Sequence, residues 1–144
     1  MKRAVTFFLL ITIVGFCFYT FGFGKMKIED YEWKMRTIAH IEDDQVVYDA
    51  VAENDDVHPS AAAIDMTLIA KDGKITIFDA TNEMIYEGAY SVARKNPKGT
   101  DYRITMNEKS GHATVAMTMY ASGMREPTLP IYLDGYSMHF YGKQ

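Results

Sequence analysis

From Tyr31 onward, apolar and polar side chains alternate along most of the chain. "YEWKMRTIA" (31–39) sets Tyr31, Trp33, Met35, Thr37 and Ala39 against Glu32, Lys34 and Arg36, the period of two of a half-buried strand. "IDMTLIAK" (64–71) and "KITIFDA" (74–80) flank Asp72-Gly73, a pair that favours the positive φ angles of a tight hairpin turn. "MIYEGAYSVA" (84–93) puts Met84, Tyr86, Gly88, Tyr90 and Val92 on one face. "TDYRITMN" (100–107) opposes Tyr102, Ile104 and Met106 to Asp101, Arg103 and Thr105, and "HATVAMTMY" (112–120) lines up Ala113, Val115, Met117 and Met119. "TLPIYLDGYSMHFYG" is a second Asp-Gly hairpin, in which Pro130 argues for an edge strand or a late start. The pattern predicts eight strands, seven of them consecutive. A meander of one-faced strands buries that face and loses its open edges by closing on itself. An all-β, eight-stranded antiparallel up-and-down barrel is the expected architecture, with a β-sandwich as the alternative.

The rhythm fails over 41–63, "IEDDQVVYDAVAENDDVHPSAAA". Seven acids fall between Glu42 and Asp56, and no Lys or Arg occurs from Thr37 to Ala70. "QVVY" reads as a short strand and "PSAAA" as a helical turn opened by Pro59. A connection this long in a tight meander is uncommon and often functional. It is expected to fold over one barrel mouth as a lid, with Val46, Val47 and Tyr48 turned toward the interior.

Before the strands, residues 4–23 carry no charge. As a helix this stretch is about 30 Å long, the thickness of a bilayer core. Lys2 and Arg3 precede it, which favours an N-terminus in the cytoplasm. The expected arrangement is a transmembrane anchor or signal segment at 1–24, a linker at 25–30 and a barrel domain at 31–144. The expected address is the cytoplasmic membrane, single-pass, with the C-terminal domain outside; secretion after cleavage of the segment is the alternative.

The 144 residues suit one domain, and 13% aromatic content favours pleated surfaces. Setting aside Lys2 and Arg3 leaves thirteen basic and nineteen acidic side chains in 25–144, a net charge of −6. That balance argues against nucleic acid as a partner, since its binding needs phosphates neutralised. The one cysteine, Cys17, lies in the N-terminal segment, so the barrel has no disulfide, thiolate metal site or cysteine nucleophile.

No catalytic motif is present, no cofactor is implied, and the reading is of a non-enzyme. Parity places His112 and His139 opposite the apolar faces, on the solvent side. "ENDDVH" (53–58) gathers oxygen ligands, but the spacing and turn glycine of an EF-hand are missing, so a solvated acidic loop is expected and no metal. Seven methionines fall on the inward faces, where thioethers fill irregular cores or adapt to varied ligands. A ligand pocket, if one forms, would be lined by Trp33, Met35, Met66, Tyr86, Tyr90, Tyr102, Met117 and Met119.

A first strand with an early Trp33, a long first connection, seven meandering strands and Thr100-Asp101-Tyr102 together resemble the calycin or lipocalin-like barrels, in a distant bacterial surface form. Trp33 follows Tyr31-Glu32 where lipocalins carry Gly-x-Trp, and "HFYGKQ" closes the chain without the family's arginine. The resemblance covers about residues 31–141. It implies a binding protein with a small apolar or amphipathic ligand in the barrel. The alternative is a protein-interaction or inhibitor module with a filled core, whose protein partner the residues do not name.

Overall fold

Trp33, Met35, Leu68, Ile75, Ile77, Ile104 and Leu129 all turn away from solvent, because their strands close into a cylinder around them. The computed structural model describes residues 26–42, 45–51, 62–63 and 65–143. These form a 3-10 turn (Ile28–Asp30) and strands β1 (Glu32–Glu42), β2 (Gln45–Val51), β3 (Ala62–Ala63), β4 (Thr67–Lys71), β5 (Lys74–Phe78), β6 (Met84–Asn96), β7 (Gly99–Met106), β8 (Lys109–Met119), β9 (Arg125–Leu133) and β10 (Tyr136–Lys143). The sheet order is β10-β9-β8-β7-β6-β5-β4-β1-β2-β3, and β10 also pairs with β1. The described residues are therefore all-β but for the 3-10 turn, with a closed eight-stranded antiparallel barrel made of β1 and β4–β10. Among the described residues no helix is long and apolar enough to cross a membrane, and the expected anchor at 1–24 lies outside them.

The turns follow the local chemistry. Asp72 and Gly73 have φ of 51° and 80°, as a two-residue hairpin with both central angles positive requires. Gly135 has φ of 76° in the β9–β10 turn.

Closure is set by β1. Its first edge pairs with β10 from Glu32↔Lys143 to His40↔Tyr136. Its other edge pairs with β4 only at Trp33↔Leu68 and Lys34↔Thr67, then with β2 from Thr37↔Val51 to Glu42↔Gln45. β4 begins too low to cover the upper half of β1, and β2 occupies that edge. The segment 45–51 thus lies in the sheet beside β1. Ala62–Ala63, expected in a helical turn, forms a strand parallel to β2. The side chains of Val46, Val47 and Tyr48, with residues 43–44 and 52–61, fall outside what is described.

Bulges correct the simple parity. The β1–β10 register shifts between Met35 and Thr37, which aims Arg36 outward and brings Ile38, not Thr37, against the core. Arg36 Nη1 then lies 2.9 Å from Glu126 and donates to the Tyr120 hydroxyl at 2.7 Å, with its guanidinium 4.8 Å over the Tyr141 ring. This clasp ties the ends of β8 and β9 to β1 and β10 across the outer wall. A second shift between Ile77 and Phe78 sends Met84 outward, 54% exposed, against the inward placement its alternation implies. Pro130 sits in β9 with a neighbour on each side, not at an edge. The β8–β9 register lapses between Ala113↔Ile131 and Ala116↔Thr128, the stretch where Pro130 has no N–H to give.

Candidate functional site

The described inward side chains pack on one another. Trp33, Tyr102, Phe140, Leu68 and Ile131 are each at most 2% exposed, and they meet across the barrel axis as one cluster. Every described buried side-chain polar atom has a hydrogen-bond partner. Two clefts lined by described residues lie at the two ends.

The lower end is stoppered by the chain just before β1. Residues read from their polarity as a linker pack into the barrel base, with Ile28 fully buried. Lys27 N–H donates to Asp30 at 2.7 Å and closes the 3-10 turn on itself. The Trp33 indole N–H donates to the Ile28 carbonyl at 2.7 Å, and the Ile28 N–H donates to the Tyr102 hydroxyl at 3.1 Å. Thr100 Oγ1 donates to the Met26 carbonyl at 3.1 Å. Tyr90 donates its hydroxyl to the Glu29 carboxylate and meets the Tyr102 ring edge-on at 5.7 Å. Burial, and then the bond to Glu29, push the Tyr90 phenol up to about 12; burial first also raises Tyr102. Beside this stopper a cleft of about 500 Å³ opens between the 3-10 turn and β6–β7, lined by Lys27, Glu29, Tyr90, Val92, Lys95 and Thr100.

The upper end holds a smaller cleft of about 170 Å³, lined by Ile38, Tyr86, Met106, Lys109, Tyr136 and Met138. His40 stacks on Tyr136 at 4.4 Å, and the Lys109 ammonium sits 4.8 Å from the same ring. On the outer wall His112 and His139 flank Tyr132, at ring distances of 5.1 and 6.0 Å. Burial lowers the His139 pKa, and Ser137 Oγ lies 3.3 Å from its Nε2.

The eight residues named for a pocket therefore separate. Trp33, Met35 and Tyr102 are core, at 0%, 2% and 2% exposure. Met66, Tyr90 and Met117 are half-buried. Tyr86, 41% exposed, has inward parity opposite Ile77 but stands at the upper rim. Met119, 65% exposed, pairs with Arg125 at the far tip of β8, past the end of the packed interior. Of the eight, Trp33, Tyr90 and Tyr102 are brought together, around Ile28. Lys27, Glu29, Val92, Lys95 and Thr100 belong to the lower cleft, and of these only Val92, by its alternation, and Thr100, in Thr100-Asp101-Tyr102, stand out in the sequence. A further hint was Ile28, an apolar residue inside a polar stretch.

No family model matches the chain, and neither the curated proteins nor the solved structures give a match.

Proposed function

We propose that the protein is a membrane-tethered, extracytoplasmic barrel that acts as a protein-interaction module with a solid core. One observation carries this: the interior is occupied by the protein's own large side chains, with Ile28 sealing the base. A pocket that engulfs a drug-sized molecule has roughly 300–1,000 Å³ and buries most of its guest. Of the two clefts lined by described residues, the larger lies beside the 3-10 turn and the one at the mouth has about 170 Å³. The tether is argued from the charge-free residues 4–23. The barrel itself has the polarity of a water-borne protein: Lys34, Arg36, Lys74, Glu87 and Arg94 are on its outside, where a lipid-facing wall is apolar. Within this reading the closed meander is a lipocalin-like scaffold whose ligand site has been filled in.

The upper cleft favours a second reading, a small apolar ligand held between Ile38, Met106 and Met138 under Tyr86 and Tyr136. Titration of the full chain with an apolar fluorescent dye separates the two. The interaction module binds no dye saturably in its interior. Saturable uptake that a bulky Met106→Trp substitution blocks would sink the filled-core reading in favour of the ligand barrel.

A further inference from the structure

β6 is thirteen residues long, and its two edges are covered unequally. Toward β7 it is paired from Gly88↔Met106 to Asn96↔Gly99, with a register shift between Val92 and Arg94. Toward β5 the pairing ends at Ala89↔Lys74, and the last backbone bond is Tyr90 N–H to the Gly73 carbonyl at 2.9 Å. From Ser91 to Asn96 no strand covers that edge among the described residues. In an antiparallel ladder the backbone groups of alternate residues point to opposite sides. Tyr90 faces β5, so Ser91 faces β7, and the N–H and C=O of Val92 face the open side. Val92 and Lys95 of this stretch also line the lower cleft of about 500 Å³, together with Lys27, Glu29 and the β7 residues Thr100 and Tyr102.

We infer that the free edge of β6 (91–96) is a strand-acceptor site for an extended acidic segment of a partner protein. This rests on the interaction-module reading and names its partner class. An incoming strand finds unpaired backbone groups at Val92, an apolar contact in the Val92 side chain, which is 50% exposed, and two ammonium groups. Neither Lys27 nor Lys95 has a carboxylate partner among the described residues. Arg94 lies 3.8 Å from Asp101, and the charged groups lining the cleft are Lys27, Lys95 and Glu29, a net of +1 on a domain of net charge −6. An acidic segment alternating with apolar residues matches that charge and meets the open backbone at Val92, before the shift between Val92 and Arg94. The same charges repel a second copy, whose Arg94 and Lys95 would meet their own kind across a two-fold axis. The chain's own preceding residues, "YTFGFGK" (19–25), offer the lysines no carboxylate.

The test uses the full chain in nanodiscs and a dye-labelled, capped octapeptide of alternating Glu and Val, with alternating Lys and Val as control. Fluorescence anisotropy reports binding, and hydrogen–deuterium exchange reports the backbone of 91–96. The acidic peptide should bind saturably and slow exchange at 91–96. Lys95→Glu and Lys27→Glu, both at exposed positions, should each weaken it by about tenfold. Val92→Pro removes the outward N–H without touching the β6–β7 ladder and should abolish it. Equal binding of the Lys–Val peptide, or none of the acidic one, overturns the inference. So does slow exchange at 91–96 before any peptide is added, which would place the chain's own segment there, or a Ser91→Cys disulfide between two copies at this edge. Protection of another surface by the acidic peptide ends this inference and leaves the interaction reading standing. Saturable dye uptake into the barrel ends the reading itself.

Discussion

At Asn107 and Glu108 the β7–β8 turn holds two non-glycine residues at φ of 49° and 65°. The left-handed region costs an ordinary L-residue roughly 1–2 kcal/mol, partly offset for asparagine by local hydrogen bonding. Glu108→Gly relieves that cost and loses some chain entropy, so it should raise stability by about 0.5–1 kcal/mol, read as a higher urea midpoint at unchanged slope. A lower midpoint would show that Glu108 makes a compensating contact. Gly111 is the opposite case. A Cβ there would meet the Tyr132 carbonyl oxygen at 1.9 Å, a backbone atom that cannot step aside without opening the β8–β9 pairing. Tyr90 supplies a pH test. Its phenol is raised from 10.0 to about 12, so the fold prefers the neutral form. That contribution is complete below pH 10, shrinks above it and is gone once pH passes about 12. Tyr102 and Tyr31 shift the same way. The denaturation midpoint should therefore hold up to about pH 10 and fall beyond it, less steeply in Tyr90→Phe. Parallel falls in the two proteins would unlink Tyr90 from the loss.

At the scale of elements, the segment 26–30 matters out of proportion to its length. Polar residues dominate it, so by pattern it is a linker. One side chain, Ile28, and two backbone groups bonded to Trp33 and Tyr102 make it part of the core. Ile28→Ala should cost about 2–4 kcal/mol, since a fully buried aliphatic is lost where neighbours tied by hydrogen bonds cannot close in. Trp33 is the single tryptophan, so its emission should shift red as water reaches the base. Unchanged emission and stability would mean that the stopper is not coupled to the barrel. β1 shows how a bulge redirects chemistry. With one extra residue at Arg36, the upper half of the strand turns over and Ile38 and His40 take the inward side. Alternation read from Trp33 cannot anticipate that, because nothing in "KMRT" marks the place where two residues oppose one.

At the scale of the molecule, the barrel depends on a pairing between its two most distant strands. Glu32–His40 meets Tyr136–Lys143 at the far end of the chain, and each of these strands is an edge without the other. Truncation after Asp134 should therefore do more than lose a strand. β1 and β9 would both be opened and the core exposed to water, so cooperative thermal unfolding should vanish. A truncated chain that still melts in one sharp transition would show that the remaining seven strands close without β10. Such long-range closure also predicts refolding on the millisecond-to-second scale of non-local β folds. For the whole chain, protease added outside wall-stripped cells should digest a tethered barrel, and protection until lysis would refute the proposed address.

The sequence alone settled the eight barrel strands, their order as a meander, the Asp72-Gly73 and Asp134-Gly135 turns and the interior placing of Trp33, Met35, Tyr102 and Met138, because alternation and turns that need a positive-φ glycine are local properties of the chain. It also placed His112 and His139 outside. Tertiary structure decided what the local pattern does not encode. Met84 and Met119 lie outside the core, one through a bulge and one beyond the rim. "QVVY" pairs with β1 because β4 stops short of it. The lower cleft joins Lys27 to Lys95, sixty-eight positions apart, and among the described residues β6 outruns its β5 neighbour because β5 is five residues long and β6 thirteen. Burial and strand length are each written locally, but which edge is left without a neighbour depends on how all eight strands share one closed wall.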